Sequence, residues 1–75
     1  MKQTLQMVLG LNLREIRISR ALSQEQFADL LGFHRTYMGG VERGERNLTL
    51  VSLEKIADAL AIDPVTLLKP SPANQ

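Results

Sequence analysis

Arg35, Thr36 and Tyr37 stand side by side, with Gln24 and His34 before them and Arg43, Arg46, Asn47 and Thr49 soon after. Their guanidinium, hydroxyl, phenol, amide and imidazole groups donate hydrogen bonds to carbonyl edges and anionic oxygens. They are not a catalytic or metal-binding set. The chain has one histidine and no cysteine, and its sequence places no pair of acids at a common pocket. An activated nucleophile, an acid–base pair and a closed metal site all lack their parts. No metal, no cofactor and no enzymatic activity are expected. The chemistry on offer is recognition.

The element that positions these groups is SQEQFADLLGFHRTYMGGVERG, Ser23 to Gly44, which reads as two short helices about a tight turn. Ser23 opens the first helix, and Gln26 three residues on completes a capping box. Phe27, Leu30 and Leu31 recur at helical spacing and mark a buried stripe, with Ala28 small enough for close packing. Gly32 ends this helix in the left-handed conformation that glycine tolerates. His34 caps the next helix, or meets a phosphate, and Tyr37, Met38 and Val41 supply its apolar contacts. Helix, glycine turn, helix is the arrangement that sets a second helix in the major groove of DNA. Gln24, at a helix N-terminus, is placed to receive a phosphate. Arg43, Arg46 and Asn47, on the loop after Gly44 or at its edge, suit phosphate clamping, with Thr49 assisting.

These residues also carry a family resemblance. Ser23, Gln24, Glu25, Phe27, Ala28, Leu31, Gly32, Arg35, Thr36, Tyr37, Val41, Glu42, Arg43 and Gly44 resemble, in register, the Cro/repressor-type (XRE) helix-turn-helix regulators. The likeness continues through RNLTLVSLEKIADAL, residues 46–60, and covers roughly Leu9 to Leu68. RTY (35–37), GVER (40–43) and RNLT (46–49) most resemble the controller proteins of restriction–modification systems. The resemblance implies an all-α fold, a compact five-helix lambda-repressor-like DNA-binding domain with its helix-turn-helix at helices 2 and 3.

Site roles follow from the same resemblance. It implies base contacts from Arg35, Thr36 and Tyr37; an arginine forked onto guanine is worth ~1–3 kcal/mol of discrimination. It implies that Gln24 grips the DNA backbone and braces the recognition helix, and that Arg17 pairs with Glu42 in a partly buried salt bridge. SQEQFAD also resembles the matching helix of phage lambda repressor, whose acidic patch touches RNA polymerase; the counterparts here are Glu25 and Asp29. Gly39 and Gly40 depart from the pattern, since many relatives carry polar side chains there. Two glycines would weaken the helix by up to ~1 kcal/mol each. They would also let it approach the groove closely, leaving more specificity to DNA shape.

The rest of the chain supplies scaffold. Residues 1–4 read as a loose arm without a cap, and helices are predicted over 5–20, 24–31, 35–43, 51–60 and 64–68. Leu9, Leu13 and Ile16 share one face of the first helix, where Gly10 is an unfavourable residue. Arg14 and Arg20 read as solvated surface charges. Leu50, Leu53, Ile56, Ala57 and Leu60 form the fourth helix's stripe behind a Thr49 or Ser52 cap. Asp63-Pro64 starts the last helix, and residues 70–75 read as a disordered tail after a domain spanning 1–69. Leu60, Ile62, Val65 and Leu68 exceed what so small an end needs for its core. They are the candidate interface of a two-fold homodimer, which this family usually builds near its last helices.

Composition narrows the partners. Seventy-five residues make one small domain. The absence of cysteine suits a reducing cytoplasm, no apolar run approaches a membrane span, and MKQTLQMVLGLNLR lacks the apolar region and cleavage site of a signal peptide. With one Tyr, two Phe and no Trp there is no platform for stacking single strands. The net charge is only +1, with the basic excess in the half that holds the motif, so binding should rest on placed contacts. The expected protein is a cytoplasmic, dimeric regulator that binds a palindromic operator in double-stranded DNA. As a controller it would regulate its own promoter and activate a neighbouring endonuclease gene, with RNA polymerase as a further partner. The alternative is an antitoxin-like interaction module that keeps the fold and uses its apolar C-terminal surface.

Overall fold

Five helices follow one another: α1 (Leu5–Ser19), α2 (Gln24–Leu31), α3 (Arg35–Glu42), α4 (Leu50–Leu60) and α5 (Pro64–Leu67). The computed structural model describes residues 3–72, and no strand occurs among them. Residues 1–2 of the expected arm and 73–75 of the expected tail lie outside the described residues. Every helix start has a side-chain cap. Thr4, Ser23, His34, Thr49 and Asp63 each accept a hydrogen bond from a backbone N–H of the first turn. Thr4 corrects the sequence reading, which gave the arm no cap: its Oγ1 accepts from the Met7 amide at 3.2 Å.

One core serves all five helices. Leu9 and Leu13 of α1, Phe27, Ala28 and Leu31 of α2, and Met38 and Val41 of α3 meet Leu53, Ile56, Ala57 and Leu60 of α4 and Leu67 of α5. Leu60 is therefore a core residue, only 2% exposed, and not part of a dimer face. It sits on the inner side of the amphipathic α4, whose stripe must cover α2. Two other expected core residues point outward: Leu30 and Leu50 are exposed, so the stripes of α2 and α4 are narrower than their leucines suggest.

The first helix does more than pack. Gly10 lies where α1 crosses the end of α3, and a β-carbon there would stand 2.5 Å from the Val41 carbonyl oxygen and 2.6 Å from that of Glu42. Glycine in this helix is thus required by the close approach of two backbones. Further along α1, buried Asn12 donates through Nδ2 to the carbonyls of Leu67 (2.7 Å) and Lys69 (2.8 Å), satisfying the end of α5. Arg20, read from sequence as a free surface charge, donates to the Leu60 carbonyl at the end of α4 (3.1 Å). The described start of the expected tail, 70–72, lies against α1, where the Ser71 hydroxyl meets Glu15 at 3.5 Å.

Candidate nucleic-acid interface

The turn between α2 and α3 is built from local chemistry. Ser23 and Gln26 exchange the two bonds of a capping box, 3.1 Å from the Gln26 amide to Ser23 Oγ and 2.9 Å from the Ser23 amide to Gln26 Oε1. Gly32 closes α2 at φ +79°, and the Phe33 amide turns back to the Ala28 carbonyl. His34 then caps α3 by accepting from the Thr36 amide through Nδ1 at 3.1 Å. An imidazole whose Nδ1 accepts while neutral carries its proton on Nε2. That leaves the exposed His34 one outward N–H, the right group for a phosphate oxygen.

Arg35 and Thr36 occupy the first turn of α3 and are both exposed, whereas Tyr37 is half-buried. The Tyr37 ring lies 5.2 Å from that of Phe33, and the Arg46 guanidinium sits 5.6 Å from its centroid. Gly39 and Gly40, buried in the structure, are covered by the arginines that follow them. A β-carbon on Gly40 would meet Arg46 Nε at 2.9 Å, and one on Gly39 would meet an Arg43 Nη1 at 3.2 Å and Gln24 Oε1 at 3.6 Å. The space the glycines vacate is filled by the Arg43 guanidinium and Gln24 at Gly39 and by the Arg46 side chain at Gly40. The idea that it stays open for approach to the groove needs that correction.

The far end of α3 is fixed by a buried ion pair. Glu42, 6% exposed, takes Arg17 Nε at 2.8 Å and Nη2 at 3.2 Å. Arg17 Nη1 also donates to the Leu22 carbonyl (3.0 Å), and Gln24 Nε2 donates to Glu42 Oε1 (3.3 Å). Three elements are thereby joined through one carboxylate: α1, the start of α2 and the end of α3. Such a bidentate pair gives orientation more than net stability.

The other site residues divide. Arg43 is exposed and pairs with Glu45 at 3.1 Å. Asn47 uses its carbonyl oxygen to accept from Gln6 of α1 at 2.6 Å, a tie that sequence reasoning missed because the partners lie 41 residues apart. Thr49 is committed to capping, accepting from the Ser52 amide and donating to the Ser52 hydroxyl. Glu25 reaches Arg35 at 3.5 Å, and Asp29 lines the same shallow cleft with Phe33, His34 and Thr36. At the opposite end Val65 is exposed, while Ile62 and Leu68 are half-buried and open onto different clefts. Leu68 shares its groove with Leu5, Leu48 and Leu50. Among the described residues no cluster of His, Asp or Glu could hold a metal ion, and no helix is long and apolar enough to cross a membrane.

This geometry has close relatives. The helix-turn-helix family HTH_3 matches residues 13–67. Control protein C.BamHI of Bacillus amyloliquefaciens is 41% identical over 69 residues, which is 91% of this chain and 85% of that protein. The crystal structure of the restriction–modification controller protein C.AhdI from Aeromonas hydrophila superposes with a TM-score of 0.74 at 50% identity, over 83% of this chain and 94% of that one. The controller protein C.Esp1396I, solved as a tetramer in complex with its natural 35 base-pair operator, superposes at 0.73 with 33% identity, over 88% and 87% of the two chains.

Proposed function

The chain belongs to the HTH_3 helix-turn-helix family, with restriction–modification control proteins among its relatives, and from that premise we propose that it reads a two-fold symmetric operator as a homodimer. One observation carries the reading. Arg35 and Thr36 are exposed on the first turn of a helix whose last turn is locked by the Arg17–Glu42–Gln24 network. Exposed donors on a rigidly held helix are what base-edge recognition needs.

Roles follow from position. Arg35 and Thr36 meet base edges, and Tyr37, half-buried, holds the Arg46 guanidinium over its ring and reaches the groove with its hydroxyl. His34 through Nε2, Gln24, Arg43, Arg46 and the free amide of Asn47 hold phosphates; Thr49 contributes by fixing the loop. A dimer would place two copies of α3 on half-sites about 34 Å apart. The groove of Leu5, Leu50 and Leu68, with exposed Val65 nearby in sequence, supplies the apolar contact between copies. C.Esp1396I assembles as a tetramer on its operator, which supports an operator long enough for more than one dimer. The regulator acts without catalysis, in the cytoplasm, on its own promoter and that of a restriction endonuclease. Asp29, with Glu25, offers RNA polymerase an acidic surface.

Selection of binding sites from random duplex DNA at near-physiological salt tests the reading. A symmetric motif with half-site centres one helical turn apart is expected. Folded protein that enriches nothing would favour the antitoxin-like module, for which the exposed Leu50, Val51 and Val65 would be the working surface.

A further inference from the structure

Two adjacent residues of α2 hold the two ends of α3. Gln24 reaches Glu42 at its last residue, and Glu25 reaches Arg35 at its first. The first contact is part-buried and joins the scaffold network. The second is exposed, with the side chains of Arg35 and Glu25 66% and 67% accessible, and its N···O distance is 3.5 Å. An exposed pair of this kind contributes little to stability; an acid in the first turn of α2 suits the helix dipole, but that does not require Arg35 opposite it. Its location matters more. Glu25 places a carboxylate at the face where α3 would meet polyanionic DNA, where any acid opposes binding.

We propose that Glu25 is a positioning residue for base recognition by Arg35, an inference that rests on the operator reading above. A guanidinium has five N–H donors in a fixed plane. Glu25 accepts from Nη1, which sets the plane and leaves Nε and Nη2 to fork onto a guanine edge. It also neutralises Arg35 before contact. A free guanidinium next to DNA takes any phosphate it meets; one already paired gains only where an acceptor pair matches its remaining fork. Glu25 thus lowers affinity for arbitrary sequence and raises discrimination. Asp29 provides the internal control, since it lines the same cleft without an ion pair to Arg35 among the described contacts. It supplies the same field and no alignment.

The test compares Glu25→Gln, Asp29→Asn, Arg35→Ala and the double variant Glu25→Gln/Arg35→Ala with the parent chain. Each binds three duplexes: the selected operator, the operator altered only at the base pair whose preference Arg35→Ala abolishes, and random sequence. Helical circular dichroism should show Glu25→Gln folded and its melting lowered only slightly, because the pair is exposed and the first-turn acid is worth at most ~1 kcal/mol to the helix. Glu25→Gln is expected to tighten binding to random duplex and to cut the operator-to-altered ratio roughly three- to tenfold. In the Arg35→Ala background, where those two duplexes bind alike, Glu25→Gln should act equally on all three. Asp29→Asn should tighten all three duplexes equally. A Glu25→Gln effect that is equal on all three in the parent, or an operator-to-random preference that Glu25→Gln still changes in the Arg35→Ala background, would overturn the positioning role. If the parent chain prefers no sequence, the operator reading itself fails, and that result is visible before any variant is made.

Discussion

Glu42 is the residue on which the reading head depends most. Its carboxylate is buried and answers to Arg17 twice and to Gln24 once. Removing one partner of a buried pair leaves an uncompensated charge, which costs about 3–5 kcal/mol. Arg17→Ala should therefore destabilise the domain by roughly 3 kcal/mol, read as a drop in urea midpoint at unchanged slope. Arg17→Lys should recover little of it, because an ammonium cannot reproduce the fork. For a domain this small that is a large share of its total stability. A loss below about 1 kcal/mol would mean the pair is solvated. On the proposed operator reading, the residues around the first turn of α3 and the loop after it separate by task. Arg35→Ala should relax preference at one base pair per half-site and cost ~1–3 kcal/mol on the operator alone. Arg46→Ala should weaken every sequence alike and reduce the slope of log K against log salt by about 1. Equal loss of discrimination from both variants would defeat that division. The exposed placement of Arg35 and Thr36 on the first turn of α3 was legible in the sequence because type and register are local. The stacking of Arg46 on Tyr37 was not, since it needs Gly40 to lie flat beneath the arginine.

Helices tell the same story at the next scale. The capping box of α2, the glycine at its end and the proline opening α5 are signals within a few residues of one another, and the sequence states them directly. What it does not state is which helix lies against which. Gly10 and Gly40 are both helical glycines, and helix propensity alone predicts that alanine at either would stabilise by up to ~1 kcal/mol. The structure sets them apart. Gly10→Ala drives a methyl into the carbonyls of Val41 and Glu42; backbone cannot step aside, and overpacking of this kind costs ~1–3 kcal/mol or more. Gly40→Ala meets the Arg46 side chain, Nε at 2.9 Å and Cγ at 3.1 Å, which can swing aside where backbone cannot, so it should cost much less than Gly10→Ala while weakening DNA binding through the displaced arginine. Matching shifts from the two variants in thermal unfolding would refute the close crossing of α1 over α3. The end of α4 offers a simpler case. Ala61 closes that helix at φ +56°, a left-handed conformation that costs an L-residue ~1–2 kcal/mol. Ala61→Gly should stabilise by about 0.5–1 kcal/mol after glycine's greater chain entropy is deducted. No change in thermal unfolding would show that the cap is unstrained.

At the scale of the whole molecule the question is what a chain with net charge +1 gains from its exposed leucines. Periodicity marks Leu50 and Leu60 as members of one stripe, yet Leu60 is buried and Leu50 is 76% exposed. A stripe read from sequence has no edge until neighbouring helices define one, so the dimer face could not be separated from the core in advance. With the fold known, Leu50 and Leu68 line a groove with Leu5, while Val65 stands 58% exposed. A weakly basic domain attracts DNA only weakly from a distance, and two copies on one duplex recover affinity through effective concentration. On the proposed reading, dimerisation is therefore part of the binding energy. Leu50→Glu should leave the helical spectrum and melting temperature of the protomer nearly unchanged, because the residue covers none of the core. Burying a leucine side chain is worth ~1.5–3 kcal/mol, so sedimentation equilibrium should show the dimer weakened by about tenfold or more. Val65→Asp should act in the same direction. Binding to an isolated half-site should persist in both variants, while binding to the full operator falls at equal protein concentration. If both substitutions leave sedimentation and operator binding as they were, the copies meet through some other face, and the apolar groove is free for a different chain.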